Sequence, residues 1–190
     1  GVSSGNADSM VNNYTPAKKR RSEDVYAPGG RPFRPDRAAS VYADRVHAVF
    51  PGVPLVLGGI EASLRRFAHY DYWSDKVRKS ILADAPADLL VYGMGESAVK
   101  EIARRLAAGQ GLEGICGTAR LLGAKAAAAL DLAGTVPLPS WDQLQAHRQL
   151  LLPLTRQVER EQNPHCGRRL VQFHGDRAIV LEPPARPLCE

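Results

Sequence analysis

Two apolar runs that end in glycine constrain the fold of this chain more than any other feature. They read VPLVLGG at residues 53–59 and DLLVYGMGE at residues 88–96. Continuous runs of leucine and β-branched residues are typical of strands buried on both faces. Helical patterns follow the two runs at residues 74–82 and 97–109. The sequence therefore predicts a βαβ unit, in which the strands are parallel and the helices cover the sheet.

Shorter elements and one long connection precede this unit. Residues 1–14 predict a strand end, a polar turn and a short helix, whereas residues 15–37 form a basic loop rich in proline and glycine. Asp36 is placed to cap the helix that follows. Apolar residues at three- and four-residue spacing give that helix one apolar face; they are Ala39, Tyr42, Val46, Val49 and Phe50.

The alternation of strands and helices becomes less regular after a further short strand, which is predicted within residues 112–123. Residues 124–139 combine an alanine-rich stretch with the proline-spaced VPLPS, which predicts a linker. Ser140 and Gln143 then form a capping box for a long helix, which Pro153 is expected to bend or interrupt. The chain closes with a predicted hairpin that turns at residues 174–176.

These elements together predict an α/β fold in three parts. Residues 1–123 form a partial, open, parallel Rossmann-like sheet with flanking helices, residues 124–139 the linker, and residues 140–190 a long helix and a β-hairpin. A helix and a lone hairpin bury too little surface to form a core of their own. We therefore expect residues 140–190 to pack on another part of the protein.

Composition excludes several classes of protein. The 190 residues are 44% hydrophobic and carry a formal net charge of +5. The sequence contains no run of eighteen apolar residues, which is about the length that a helix needs to span a bilayer. The cysteines Cys116, Cys166 and Cys189 match neither a disulfide framework nor a metal knuckle. This usage favours a reducing, cytoplasmic location. The opening GVSS resembles the tail of a strand, which predicts that the chain is a fragment.

The ends of the predicted parallel strands are the first candidate site. Ligands of such sheets bind beyond the carboxyl ends of the strands, and glycine there lets a ligand approach the backbone closely. The alternative is that these loops are ordinary turns between a strand and a helix. No dinucleotide or phosphate-loop fingerprint is present. The candidates at these ends are Ser4, Asn6, Gly58, Gly59, Glu61, Ser63, Gly93, Gly95 and Glu96.

The second candidate is the run RRFAHYDYW at residues 65–73. If the segment is helical from Glu61, then Ile60, Leu64, Phe67 and Ala68 share its buried face. One face cannot bury all the aromatic rings, so the others stack on another element, a domain interface or a flat ligand such as a base. His69 near Asp71 suggests acid–base chemistry, although no nucleophile accompanies them. The candidates are Arg65, Arg66, His69, Tyr70, Asp71, Tyr72 and Trp73.

Long motifs spread over most of the chain resemble the YgiQ family of radical S-adenosylmethionine (SAM) proteins. They read SSGNADSMVNNYT, RPDRAASVY, LVLGGIEASLRRFAHYDYWSD, VRKSIL, ADLLVYGMGE and QNPHCGRRLVQFHGDRAIVLEPPARPL. The resemblance implies an N-terminal region similar to a cobalamin-binding, Rossmann-like domain, here incomplete, followed by a radical SAM barrel. That barrel carries a C-x-x-x-C-x-x-C motif for a 4Fe–4S cluster.

The resemblance sets expectations for cofactors and partners. The whole protein is expected to use a 4Fe–4S cluster and SAM on an unknown small-molecule or nucleotide substrate, with this chain covering the barrel of the same protein. This chain has no C-x-x-x-C-x-x-C and no D-x-H-x-x-G cobalamin-ligand motif, so no metal or cofactor is expected within it. The alternative is a non-catalytic nucleotide- or RNA-binding module, or a module that only forms a domain interface.

Overall fold

A seven-stranded sheet runs through the computed structural model, which describes residues 1–188. The strands of this sheet, in spatial order, are β1 (Val2–Ser3), β2 (Val56–Gly58), β5 (Leu89–Val91), β6 (Thr118–Leu122), β9 (Arg177–Leu181), β8 (Arg169–His174) and β7 (Thr135–Pro137). A separate antiparallel pair consists of β3 (His69–Asp71) and β4 (Lys76–Arg78).

The sheet is parallel where the sequence predicts the βαβ unit. β1 pairs with β2 and β2 with β5 in parallel, which aligns Val2 with Leu57 and Leu57 with Leu90. β6 then joins β5 in antiparallel orientation, and β9 and β8 continue the sheet before β7 closes it in parallel with β8. The prediction of an α/β fold with an open Rossmann-like sheet is confirmed, with an antiparallel extension that the sequence did not predict.

Helices cover both faces of the sheet. They are α1 (Ser9–Asn13), α2 (Ala38–Val49), α3 (Gly59–Leu64), α4 (Ile81–Asp84), α5 (Glu96–Ala107), α6 (Ala124–Ala128), α7 (Trp141–Ala146) and α8 (Leu151–Arg160). Leu57 and Leu90 belong to the main core on one face, while Leu89 and Val91 pack with α5 on the other. None of the helices within residues 1–188 is long and apolar enough to cross a membrane.

The start of α2 differs from the prediction. Asp36 does not cap the helix, because its carboxylate accepts hydrogen bonds from Asn13 Nδ2 at 2.8 Å and from the Tyr14 hydroxyl at 2.7 Å. Arg37, in a left-handed conformation, takes the N-cap position instead. The predicted apolar face is buried only at its beginning, where Ala39 is inaccessible; Val46, Val49 and Phe50 are exposed.

The helix considered from Glu61 and the helix predicted over residues 74–82 are each present only in part. α3 ends at Leu64, and the chain then forms the β3–β4 hairpin before α4, whose first residues are capped by Ser80. A tertiary contact explains the change, since the Ala68 N–H donates to Gln172 Oε1 at 2.7 Å and holds the chain extended. Ile60 and Leu64, expected to be buried, are exposed, whereas Phe67 and Ala68 are buried as predicted.

The C-terminal elements follow the prediction in part. The capping box of Ser140 and Gln143 is present, and the hairpin of β8 and β9 is confirmed. The long helix is split, with α7 ending at Ala146 and α8 starting at Leu151. The interruption falls in the turn before Pro153, as predicted, and leaves Pro153 in the first turn of α8, where its missing N–H is tolerated.

Residues 124–139, predicted as a linker, contain α6 and β7, and β7 belongs to the sheet that β1 begins. The division of the chain into three parts stays a prediction. At the start of α5, Gly95 rather than Ser97 occupies the N-cap position.

Candidate functional site

The glycine-rich ends of β1, β2 and β5 come together at one edge of the sheet. They border a cavity of about 310 Å³ whose lining includes Ser3, Gly58, Gly59, Gly93 and Gly95. This is where the sequence predicts a ligand- or partner-facing site. The edge lies beyond the carboxyl ends of the three parallel strands, as in other open α/β sheets.

Two of these glycines are required by close packing. Gly59 has φ +84°, and a Cβ atom there would overlap the Ser3 hydroxyl oxygen. A Cβ at Gly95 would lie 2.9 Å from Val91 Cγ1. The backbone at this edge is therefore packed too tightly for side chains at these two positions.

The polar candidates at this edge have different roles. Ser4 is buried and its hydroxyl donates to the Ala7 carbonyl at 3.2 Å, whereas Asn6 and Glu96 are exposed. Glu61 is fully buried, and its two carboxylate oxygens accept from the backbone N–H groups of Ser9 at 2.8 Å and Ala39 at 3.0 Å. Glu61 thus joins the starts of α1 and α2, and the sequence did not reveal this role.

Arg65 is held by a residue that the sequence analysis overlooked. Its guanidinium pairs with the carboxylate of Asp8, which also caps α1 by accepting from the N–H groups of Met10 and Val11. Burial lowers the pKa of Arg65, but the hydrogen bond and charge of Asp8 outweigh burial and leave that pKa raised. The N-A-D turn before an apolar helix is the signal that identifies Asp8 as a cap.

His69 and Asp71 have separate partners. Asp71 Oδ2 accepts from Arg37 Nη2 and from the Ser74 hydroxyl, each at 2.5 Å. Burial opposes ionisation of Asp71, but these two hydrogen bonds leave its pKa lowered. His69 Nδ1 lies 3.1 Å from the Phe67 carbonyl, and burial lowers the pKa of His69. Among residues 1–188 the two side chains share no hydrogen bond.

The aromatic cluster of the hairpin packs against the basic loop. The ring centroids of Trp73 and Tyr14 are 5.3 Å apart, and those of Trp73 and Tyr72 are also 5.3 Å apart. The Tyr72 hydroxyl donates to the Pro16 carbonyl at 2.8 Å, and the Lys18 ammonium lies 4.6 Å from the Tyr72 ring centroid. Tyr72 therefore fastens loop 15–37 to the hairpin, and Trp73 packs on Tyr14, the residue that precedes the loop.

Arg66 lies in different surroundings from Arg65. Its guanidinium sits 5.0 Å from the Tyr92 ring centroid and 5.7 Å from that of Phe67, and Nη1 donates to the Ser63 carbonyl at 2.5 Å. Burial lowers the pKa of Arg66. Arg66 and Tyr70 line a groove of about 320 Å³ between α3 and α8, named here the α3–α8 groove.

A wider depression of about 800 Å³ lies at the opposite edge of the sheet. Its lining includes Asp44, His47, Asp88 and Arg177, and it borders the segments that lead into β2 and β5. In open α/β sheets the ligands bind at the other edge, beyond the carboxyl ends of the strands. We therefore place the candidate site at the glycine-rich edge despite its smaller cavity.

The described residues do not fit an iron–sulfur cluster or a corrinoid. Cys116 and Cys166 are exposed and unpaired, and within residues 1–188 no three histidine, cysteine or acidic side chains are grouped as metal ligands. Cys189 lies outside the described residues. No histidine lines the 310 Å³ cavity, so its lining offers no imidazole to a corrinoid.

Apolar side chains are exposed on the segments that follow the parallel strands β1, β2 and β5, and none was singled out from the sequence as exposed. They are Val11, Ile60, Leu64, Met94 and Val99, with exposed fractions between 49% and 62%. Val99 also lines the 310 Å³ cavity. Exposed apolar side chains are typical of contact surfaces where they form a contiguous patch.

The fold defines an α/β domain whose glycine-rich edge is the candidate site. Residues 1–190 match the Radical SAM N-terminal family over their whole length, and the chain belongs to that family. The resemblance to YgiQ-type radical SAM proteins is thereby confirmed.

The relatives are considerably longer proteins. The chain is 53% identical to a UPF0313 protein of Geobacter sulfurreducens, over 100% of this chain and 31% of the relative. It is 47% identical to a UPF0313 protein of Methanocella arvoryzae, over 98% of this chain and 31% of the relative. It is 42% identical to a UPF0313 protein of Clostridium botulinum, over 100% of this chain and 29% of the relative. The chain thus spans about three tenths of these relatives. No solved structure gives a significant match.

Proposed function

We propose that this chain is the N-terminal accessory part of a radical SAM enzyme with a 4Fe–4S cluster, and that its glycine-rich edge covers the mouth of the barrel. The observation that carries the proposal is the set of exposed apolar side chains on the segments that follow the parallel strands, of which Ile60, Leu64 and Met94 are representative. Removing such side chains from water is favourable by about 25 cal/mol per Å² of apolar surface.

The tight backbone at the same edge supports this role. Glycines at positions 58, 59, 93 and 95 project no side chains, so a partner's loops can approach the strand ends closely. The surface is built from short loops fixed to the sheet, which suits a rigid cover. Its task would be to exclude water from the barrel mouth and to shape the space for a small-molecule or nucleotide substrate.

The cluster and SAM would be held by the remainder of the longer protein. When bound, they supply a 5′-deoxyadenosyl radical that removes a hydrogen atom from the substrate. No step of that chemistry is assigned to residues 1–188, because their cysteines do not form a cluster site. The contribution of this chain is therefore positional.

Hydroxyl-radical footprinting of the intact longer protein tests the proposal without any substitution. The chain has two methionines, Met10 with 3% exposure and Met94 with 54% exposure. If the barrel covers the edge, Met94 should be oxidised about as slowly as Met10, while the exposed Phe33 is oxidised freely. Oxidation of Met94 at the rate of a fully exposed methionine would refute the proposal.

A nucleotide- or RNA-binding role is the second candidate, and one observation favours it. Lys18, Lys19, Arg20 and Arg21 are exposed, and Lys18 lies over the Tyr72 ring. Arg65, expected to take part, is instead paired with Asp8. Binding of single-stranded RNA to the intact protein should then weaken as salt rises and after charge reversal at Lys19 and Arg21. Absence of binding at low salt would exclude this role.

A further inference from the structure

Arg66 is a half-buried cation that lacks an acidic partner among residues 1–188. Three other partly buried arginines are paired with carboxylates, namely Arg34 with Asp24, Arg37 with Asp71 and Arg65 with Asp8. Arg120 in β6 resembles Arg66, since its Nε is also buried without a partner, but Arg120 does not line the α3–α8 groove. Within the described residues, the side chain of Arg66 makes one hydrogen bond, to the Ser63 carbonyl, and its buried Nε atom makes none. Removing a guanidinium from water is costly when no counter-charge is present.

The surroundings of Arg66 are apolar. The α3–α8 groove is lined by Leu64, Leu151 and Val158 in addition to Arg66, and Leu64 is 62% exposed. The faces of Tyr92 and Phe67 stabilise the guanidinium as cation–π partners but do not neutralise its charge. The groove therefore combines an apolar lining with a single positive charge.

We propose that the α3–α8 groove receives a segment from the remainder of the longer protein, and that this segment places a carboxylate among apolar side chains against Arg66. The inference rests on the proposed function, because it concerns the same docking of the barrel onto this chain. Charge complementarity selects an acidic segment. The relatives supply the chain from which it would come, since about seven tenths of their length lies outside the match.

The position of the groove suits such a segment. Gly59 at the start of α3 lines the cavity at the glycine-rich edge, and Leu64 at its end lines the groove, so α3 links the two. Ile60 lies one helical turn before Leu64. If a partner covers the edge, the partner's residues next to that contact would lie in the groove. The carboxylate would then fix the orientation of the partner, because a buried ion pair gives specificity where apolar contacts do not.

Zero-length crosslinking in the intact protein tests the pairing. The variant Arg66→Lys places an amine at the same point, and a carbodiimide joins that amine only to a carboxylate in direct contact. Mass spectrometry should find residue 66 linked to an Asp or Glu that lies outside residues 1–190. The variant Arg45→Lys, at an exposed position on α2, is the matched control and should give no such link.

Footprinting of two tyrosines gives a second measurement. Tyr70 lines the groove and Tyr72 does not, yet their exposed fractions are close at 43% and 47%. In the intact protein Tyr70 should be oxidised about tenfold more slowly than Tyr72, and Arg66→Gln should remove most of that difference. Oxidation of Met94 should stay low in this variant, because apolar contacts cover the edge.

The outcomes separate this inference from the proposed function. If Met94 is protected but residue 66 gives no link outside residues 1–190 and Tyr70 is as reactive as Tyr72, the pairing of Arg66 is refuted and the docking proposal stands. If Met94 is freely oxidised, both proposals fail.

Discussion

The carboxylate of Glu61 accepts a hydrogen bond from the backbone N–H of Ser9 at 2.8 Å, although 52 residues separate the two in the chain. The other carboxylate oxygen accepts from the N–H of Ala39 in α2. A single side chain in the helix after β2 thereby satisfies free N–H groups at the start of two other helices, which otherwise lack partners within their helix. The geometry of the glycine-rich edge depends on this contact.

We expect Glu61→Gln to lower the free energy of unfolding by about 2 kcal/mol. The amide has one acceptor oxygen in place of two, so one N–H group loses a bond to a charged acceptor. Denaturant unfolding monitored by circular dichroism measures the change. The exposed Glu96→Gln is the matched control and should shift stability by less than about 0.5 kcal/mol. Equal effects of the two substitutions would contradict the role of Glu61.

A comparison of two glycines tests the close packing between β1 and α3. Gly59 and Gly52 have similar positive φ angles, +84° and +80°, but a Cβ at Gly52 meets nothing within 4 Å. Gly52→Ala should therefore cost about 1 kcal/mol, the strain of a left-handed alanine. Gly59→Ala should cost at least about 1 kcal/mol more, because Ser3 must turn and lose the hydrogen bond that its hydroxyl accepts from the Gly5 N–H.

The combined variant Gly59→Ala with Ser3→Ala provides the control for this prediction. Removing the Ser3 hydroxyl relieves the overlap, so the second substitution should restore part of the loss in unfolding free energy. Strict additivity of the two single changes would show that the overlap is unimportant.

The sequence predicted the βαβ unit because its signals are local. The runs at 53–59 and 88–96 and the capping box at Ser140 depend on neighbours in the chain, and the structure contains them. Residues 65–82 were predicted as helices, since their spacing permits a helix and nothing nearby forbids it. The hairpin forms because Gln172, 104 residues from Ala68, supplies the hydrogen-bond acceptor that holds this segment extended.

At the candidate site, the glycine-rich strand ends could be predicted from the sequence, whereas the long-range pairings could not. The convergence of the glycine-rich ends at Gly59 and Gly95 is expected for parallel strands, and both glycines line the same cavity. Pairings such as Asp8 with Arg65 join residues 57 positions apart, so no local pattern contains them. Whether the edge binds a partner stays a prediction.

Loss of the Trp73 ring should release loop 15–37 without unfolding the sheet. The ring packs on Tyr14, which precedes the loop, and on Tyr72, which belongs to the hairpin. Trp73→Ala should speed tryptic cleavage at residues 18–21 about tenfold, because local opening of the loop becomes easier by about 1.4 kcal/mol. Mass spectrometry of early digestion products measures the rate.

The second tryptophan gives the control for that experiment. Trp141 packs near β4, away from loop 15–37, and its Nε1 donates to the Val77 carbonyl at 3.4 Å. Trp141→Ala should leave the first cleavages at residues 18–21 at their original rate under native conditions. Faster cleavage there in both variants would mean that global unfolding, not the aromatic cluster, controls access to the loop.

Stability should fall in acid partly because of His174. This side chain is 3% exposed, and burial, together with the positive charges of Lys79 and Arg177, lowers its pKa to about 4. The unfolded chain binds a proton at this residue with a pKa of about 6.5, so it takes up protons before the folded protein does. The contribution of His174 is thus complete above about pH 6.5 and is lost as the pH falls toward 4, on the order of 3 kcal/mol in all.

Denaturant unfolding at pH 7, 6, 5 and 4 measures this contribution. Other groups titrate over the same range, so the quantity to compare is the difference between the original protein and His174→Asn at each pH. The variant should show a shallower decline, because asparagine takes up no proton on unfolding. His47→Asn, at an exposed position on α2, should retain the steep profile. Parallel profiles for His174→Asn and the original protein would rule out His174 as a source of acid sensitivity.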